Sequence, residues 1–133
     1  MRNITKEYIL SDIKSLLYTK EHEWVSIDDN IATIGITDFA QGELGDIIFV
    51  EFPNKGDIFS KDESIGTLEA VKTVADIYSP LSGEIFDFNV NLEGEPELIN
   101  TDPYQKGWIV KIKINNIKEV DSLLSREDYE KII

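Results

Sequence analysis

Gly66-Thr67-Leu68-Glu69-Ala70-Val71-Lys72-Thr73-Val74-Ala75-Asp76-Ile77-Tyr78-Ser79-Pro80 sets Lys72 between two short runs of alternating apolar residues. Alternation with a period of two marks half-buried strands, and two such runs close together mark a hairpin. The amine of Lys72 therefore falls at the tip of that hairpin. A lysine there is within reach of another protein's active site, whereas one in the middle of either strand would be flanked by neighbours.

Outward from this segment the chain continues as short strands. Trp24-Val25-Ser26-Ile27 runs into the turn Asp28-Asp29-Asn30, and Ile31 to Ile36 returns as the second arm of a hairpin. Thr37-Asp38 caps a short helix through Phe39, Ala40 and Leu44, which Gly42 and Gly45 keep brief. Asp46 to Phe52 reads as a strand stopped by Pro53-Asn54-Lys55-Gly56-Asp57. Further strands are expected over Ser64 to Val71, Val74 to Tyr78, Gly83 to Asn89 and Trp108 to Ile114. Their spacing, roughly 8 to 12 residues, is that of a sandwich or small barrel. Pro80-Leu81-Ser82-Gly83 and Gly94-Glu95-Pro96 supply turn chemistry between them.

Helices are expected at the two ends. Apolar residues at Ile9, Ile13, Leu16 and Leu17 predict a short helix within Ile4 to Leu17. Near the C-terminus, Asn116 with Glu119 and Ser125 with Asp128 have the spacing of a cap and an acid three residues on. An internal echo joins Gly45-Asp46-Ile47-Ile48, Gly56-Asp57-Ile58-Phe59 and Gly83-Glu84-Ile85-Phe86. It fits either a repeated strand unit or the ordinary need of a strand leaving a turn.

The chain of 133 residues is long enough for one core and too short for two. Its 26 Asp and Glu against 13 Lys and Arg give a formal charge of -13, which repels phosphate backbones and argues against nucleic-acid binding. That charge favours either encounter with basic partner surfaces or simple solubility. The absence of cysteine removes disulfides, thiolate nucleophiles and thiolate metal sites together, and a single histidine, His22, leaves no His-rich metal cluster. No calcium-loop spacing and no apolar run of membrane-spanning length occur. The first 17 residues, with Lys6, Glu7, Asp12 and Lys14 among apolar ones, do not resemble a secretory signal.

No phosphate-binding loop, dinucleotide glycine signature or Gly-x-Ser-x-Gly elbow is present. His22 lies between Glu21 and Glu23 at a strand start, where a structural or merely exposed role is expected. Carboxylates are too abundant for their spacing to single out a glycosidase-like pair. A lysine amine is a poor nucleophile at neutral pH unless desolvated or set beside another cation. The near neighbours of Lys72 are instead the carboxylates Glu69 and Asp76, which disfavours Schiff-base chemistry. Amide formation by a separate activating enzyme needs only an exposed amine on a firm turn.

From about Tyr18 to Leu124 the chain resembles the glycine cleavage H-protein family. The segments that carry the resemblance are Tyr18-Thr19-Lys20-Glu21-His22-Glu23-Trp24-Val25, Ile34-Gly35-Ile36-Thr37-Asp38-Phe39-Ala40-Gln41 and Leu44-Gly45-Asp46-Ile47, followed by Glu51-Phe52-Pro53. They continue with Glu69-Ala70-Val71-Lys72, Asp76 to Gly83, Pro96-Glu97-Leu98-Ile99-Asn100, Asp102-Pro103-Tyr104 and Gly107-Trp108. The resemblance implies a mainly β fold, a barrel-sandwich hybrid of two antiparallel sheets of the lipoyl and biotinyl carrier kind. Short helices accompany the sheets, one of them C-terminal. It also implies a single carrier domain over 18–133 behind an extension at 1–17.

The resemblance further implies lipoate covalently bound to Lys72, Glu69 as a residue read by the attaching enzyme, and Glu23 and Asp76 beside the cleft where the loaded arm rests. Glu23 and Asp76 can equally be solvated strand-end carboxylates. The implied partners are a pyridoxal-phosphate glycine decarboxylase, a tetrahydrofolate-dependent aminomethyltransferase, dihydrolipoamide dehydrogenase and a lipoate-attaching enzyme. The chain would shuttle the aminomethyl group of glycine among them as a non-catalytic monomer, without nucleic acid or membrane. Its location would be the cytoplasm in a bacterium, or the mitochondrial matrix in a eukaryote after removal of a transit peptide. Two positions depart from the family pattern: Ala70 and Ala75 stand where serines are usual. A biotin carrier uses the same kind of hairpin with Met-Lys-Met at its tip, but here the flanking residues are Val71 and Thr73. An H-like protein that relays lipoate to other lipoyl domains, or a binding module with unmodified Lys72, would share the hairpin. Neighbouring genes for the decarboxylase and transferase would separate the first of these rivals, the biotin carrier, from glycine cleavage.

Overall fold

A computed structural model describes residues 13–133. Residues 13–15 are helical, and the rest of the helix expected from Ile4 lies outside the described residues. Leu17 was expected in that helix and is instead in a strand, β1 (Leu17–Tyr18). The cause is long-range pairing: β1 runs antiparallel to β2 (Glu23–Asp28), and Tyr18 exchanges backbone hydrogen bonds of 2.8 and 2.7 Å with Leu124.

The hairpin β2–β3 (Ile31–Ile36) turns at the expected Asp28-Asp29-Asn30, with Asp29 at φ 58°. Helix α1 (Asp38–Leu44) follows, its Ala40 amide capped by the Thr37 hydroxyl and its end set by Gly45 at φ 80°. Next come β4 (Ile47–Glu51), β5 (Ile58–Phe59), β6 (Ser64–Ala70), β7 (Val74–Tyr78) and β8 (Gly83–Phe88). Gly94-Glu95-Pro96, expected as a connection, joins two one-turn helices, α2 (Asn91–Gly94) and α3 (Leu98–Thr101). The last strand, β9 (Val110–Ile114), starts two residues later than expected. A 3-10 helix (Ile117–Ser122) capped by Asn116 and helix α4 (Arg126–Glu130) capped by Ser125 complete the chain.

The strands form two antiparallel sheets, one ordered β1-β2-β3-β9-β8-β5 and the other β4-β6-β7. Their facing sides supply the core, in which Val25, Ile34, Leu68, Ile77, Ile85 and Ile112 are fully buried. Each such side chain stabilises the fold by roughly 1.5–3 kcal/mol relative to exposure. Among the described residues three bulges reset the alternation. Between Ile47 and Phe49 one turns Ile48 and Phe49 out while Val50 returns to the core. Another, between Ser64 and Gly66, lets Ile65 and Leu68 both point inward though three residues apart. At the latter Gly66 passes so close to the next strand that a Cβ would lie 2.4 Å from the Glu51 carbonyl oxygen.

A second cluster lies at one end, where Ile13, Leu16, Tyr18, Trp24 and Tyr129 pack together. The Tyr18 and Tyr129 rings stack 4.7 Å apart, and the Arg126 guanidinium lies over both. Among the described residues, no helix is long and apolar enough to cross a membrane, and no acid or histidine group is arranged to hold a metal.

Candidate functional site

The hairpin β6–β7 closes through three residues, Val71, Lys72 and Thr73. Its narrow end is set by the Ala70 amide, which donates to the Thr73 carbonyl over 2.8 Å, above the pair Glu69–Val74. A further bond of 3.1 Å runs from the Val71 amide to the carbonyl of Asp46, just before β4. The turn is thus fastened both to its own strands and to the adjoining corner. Lys72 is exposed, and among the described residues its ammonium takes part in none of the ion pairs, which join Lys55, Lys61, Arg126 and Lys131 to acids.

Register places the other expected residues. Glu69 is exposed in a row that crosses the small sheet from Phe49 through Glu69 to Val74. Phe49 and Val74 are 55% and 62% exposed, so the carboxylate stands between two uncovered apolar side chains on the outer face. Asp76 is on that same face, two residues further along β7, and accepts hydrogen bonds from the Ser64 hydroxyl at 3.2 Å and the Tyr78 hydroxyl at 3.4 Å.

Glu23 stands in a different environment. It is 2% exposed; the Thr19 hydroxyl donates to Oε1 over 2.5 Å and the Tyr78 amide to Oε2 over 3.2 Å. Burial pushes its carboxyl up to about 7 against the opposing pull of these two donors. A cleft of about 400 Å³ opens over it, lined also by Thr19, Glu21, Lys61, Asp62 and Leu124. Asp76 does not line this cleft. The two carboxylates are connected through Tyr78, whose backbone amide serves Glu23 and whose hydroxyl serves Asp76. No hydrogen bond or ion pair among the described residues joins either to Lys72.

His22 has the structural role expected of it. Its φ is 71°, its Nδ1 lies 2.8 Å from the Tyr129 hydroxyl, and its ring packs 5.0 Å from Phe39. The same Tyr129 hydroxyl lies 2.7 Å from Thr37 Oγ1, the cap of α1. At the other end of α1 the Asn100 side chain bonds Gln41, Gly45 and Ile47. Sequence reasoning gave Thr19, Tyr129 and Asn100 no part in the site. Thr19 and Asn100 lie inside the segments that carry the family resemblance, the one signal that could have drawn attention to them.

Known proteins with the same pattern are numerous. Residues 16–133 match the family described as glycine cleavage H-protein. The glycine cleavage system H protein of Listeria monocytogenes is 55% identical over 120 residues, covering 90% of this chain and 96% of that protein. The one from Carboxydothermus hydrogenoformans is 51% identical over 90% of this chain and 92% of its own length. Among solved structures, a glycine cleavage system H protein from Mycobacterium marinum superposes with a TM-score of 0.79 at 34% identity, covering 89% of this chain and 95% of that one. With the family match spanning all but the first 15 residues, the chain belongs to the glycine cleavage H-protein family.

Proposed function

We propose that Lys72 is the attachment point for lipoate, joined through an amide, and that the fold exists to present this residue to successive partner enzymes. The chain's role as a lipoyl carrier in glycine cleavage follows from its family. The observation that carries the assignment to Lys72 is a primary amine without an ion pair among the described residues, on an exposed turn fastened to Asp46. Such an amine is open to acylation, and the firm turn gives an attaching enzyme one shape to read. Glu69, exposed three residues before Lys72, is proposed as part of that shape.

When bound, lipoate supplies a cyclic disulfide that accepts the aminomethyl group of glycine on sulfur. The protein's own part is mechanical and electrostatic. Lys72 holds the arm, and tethering replaces diffusion between partners by a high local concentration. Glu23, in its cleft, is placed to attract a cationic amine at the arm's end, and Asp76 to add negative potential along the way. The reactions themselves are assigned to a pyridoxal-phosphate glycine decarboxylase, a tetrahydrofolate-dependent aminomethyltransferase and dihydrolipoamide dehydrogenase, with a lipoate-attaching enzyme loading the chain. The bacterial sources of the relatives support work in a bacterial cytoplasm over a mitochondrial matrix.

The test is intact-mass measurement after co-expression with a lipoate-attaching enzyme, with Lys72→Ala alongside. One lipoyl increment on the wild-type chain and none on the variant is expected. An unmodified wild type, or a modified variant, overturns the assignment.

A further inference from the structure

We infer that Asn100 is the positioning residue of the hairpin tip: its side chain sets the corner at residues 45–47, and that corner holds the turn that presents Lys72. The inference rests on the reading of Lys72 given above. Asn100 lies in α3, far from the hairpin in sequence, and α3 is fixed by Ile99, which is fully buried. Gly107 packs so tightly beneath it that a Cβ would lie 2.7 Å from the Leu98 carbonyl oxygen.

From this base the Asn100 amide makes three hydrogen bonds. Nδ2 donates to the Gly45 carbonyl over 2.8 Å and to Gln41 Oε1 over 3.0 Å, while Oδ1 accepts the Ile47 amide over 2.9 Å. A carbonyl can only accept and a backbone amide can only donate, so these partners fix which way the side chain faces. Both hydrogens and one lone pair are used on three groups at the end of α1 and the start of β4.

Asp46 is the residue between the two bonded backbone groups, and its carbonyl receives the Val71 amide. The strand ladder cannot hold this corner unaided. After the pair Ile47–Ala70 the bulge interrupts the register, which resumes only at Phe49–Glu69. Asn100 bonds β4 on the side away from β6 and supplies the missing restraint. The path from α3 to the lysine therefore runs Asn100, Gly45 and Ile47, Asp46, Val71, Lys72.

Asn100→Ala and Asn100→Asp test this; the second keeps an acceptor for Ile47 and loses both donors, and it carries the test if the first does not fold. Hydrogen exchange at the Val71 amide is expected to rise about tenfold in each, with the amides of β9 unchanged. The KM for enzymatic lipoate attachment is expected to rise several-fold with kcat retained, because the acceptor amine is unaltered and only its presentation suffers. Exchange at Val71 equal to wild type, or raised no more than in β9, overturns the proposal, as does an unchanged KM. A wild-type chain that takes no lipoyl group defeats the reading of Lys72 instead, and the exchange measurement still decides the role of Asn100.

Discussion

The backbone amide of Tyr78 donates to Glu23 Oε2 over 3.2 Å, so the strand that descends from Lys72 ends on a carboxylate belonging to the other sheet. With the Thr19 hydroxyl on the second oxygen, Glu23 is a buried acid with two donors and no cation bonded to it among the described residues. Its behaviour with pH follows from that arrangement.

Burial raises the folded-state value to about 7 from 4.5, so the folded chain keeps a proton that the unfolded chain releases earlier. The stabilisation is fully present below about 4.5 and is lost as pH rises through 7, up to roughly 3 kcal/mol. Glu23→Gln removes this dependence. In urea unfolding at pH 5 to 8, the variant should gain on the wild type steadily up to about pH 7 and then hold its lead. Parallel curves would show that Glu23 titrates normally.

Glu23→Ala and Asp76→Ala should both accept lipoate at the wild-type rate but hold the loaded arm less well. Release of the aminomethyl group without a partner enzyme is the quantity to follow. For Glu23 the loss should be larger above pH 7, where the wild-type carboxylate is charged, than at pH 6. Equal release from both variants and the wild type would remove these two residues from the resting site.

Tyr129→Phe deletes a hydroxyl shared by His22 Nδ1 and the α1 cap Thr37, and all contacts of the ring with Tyr18 survive. The expected cost is about 1–3 kcal/mol, since two polar groups lose their partner in a buried setting. The Ala40 amide, bonded to Thr37 Oγ1, should report the change by faster exchange. Wild-type stability together with unchanged exchange at Ala40 would confine the role of Tyr129 to packing.

Gly66→Ala forces a methyl group against the Glu51 carbonyl, and repulsion between β4 and β6 should cost about 1–3 kcal/mol. Gly42→Ala is the control: it lies within α1, and beyond its chain neighbours and its own helix backbone no atom lies within 4 Å of the added carbon, so it should stabilise by about 0.4–1 kcal/mol. Chemical unfolding of the pair distinguishes a close approach of strands from the general effect of replacing glycine.

What the sequence made legible was local. The limits of β7 at Val74 and Tyr78, the Thr37 and Ser125 caps and the Asp28-Asp29-Asn30 turn each depend on residues a few positions apart. Features made by distant partners were not legible. β1 exists because Leu124 pairs with Tyr18, and the one-turn helices flanking Glu95-Pro96 were hidden behind a strong turn signal. The outward turn of Ile48 comes from a bulge, which breaks the very alternation that sequence reading relies on. In the candidate site, the place of Lys72 on an exposed turn was legible from the two alternating runs around it. The condition of Glu23 could not, because the Tyr78 amide that serves it is 55 residues away.

The bond between the Val71 amide and the Asp46 carbonyl also bears on how an attached arm would search its surroundings. A turn free to rock would blur the arm's origin and spread its far end through a wider volume. With the pivot held, motion would be left to the torsions of Lys72 and of such an arm, and the body of the protein would block the directions behind them. The far end then sweeps a dome whose radius is the arm's own length. A partner enzyme need only bring its reactive centre to that fixed distance from one point on the surface.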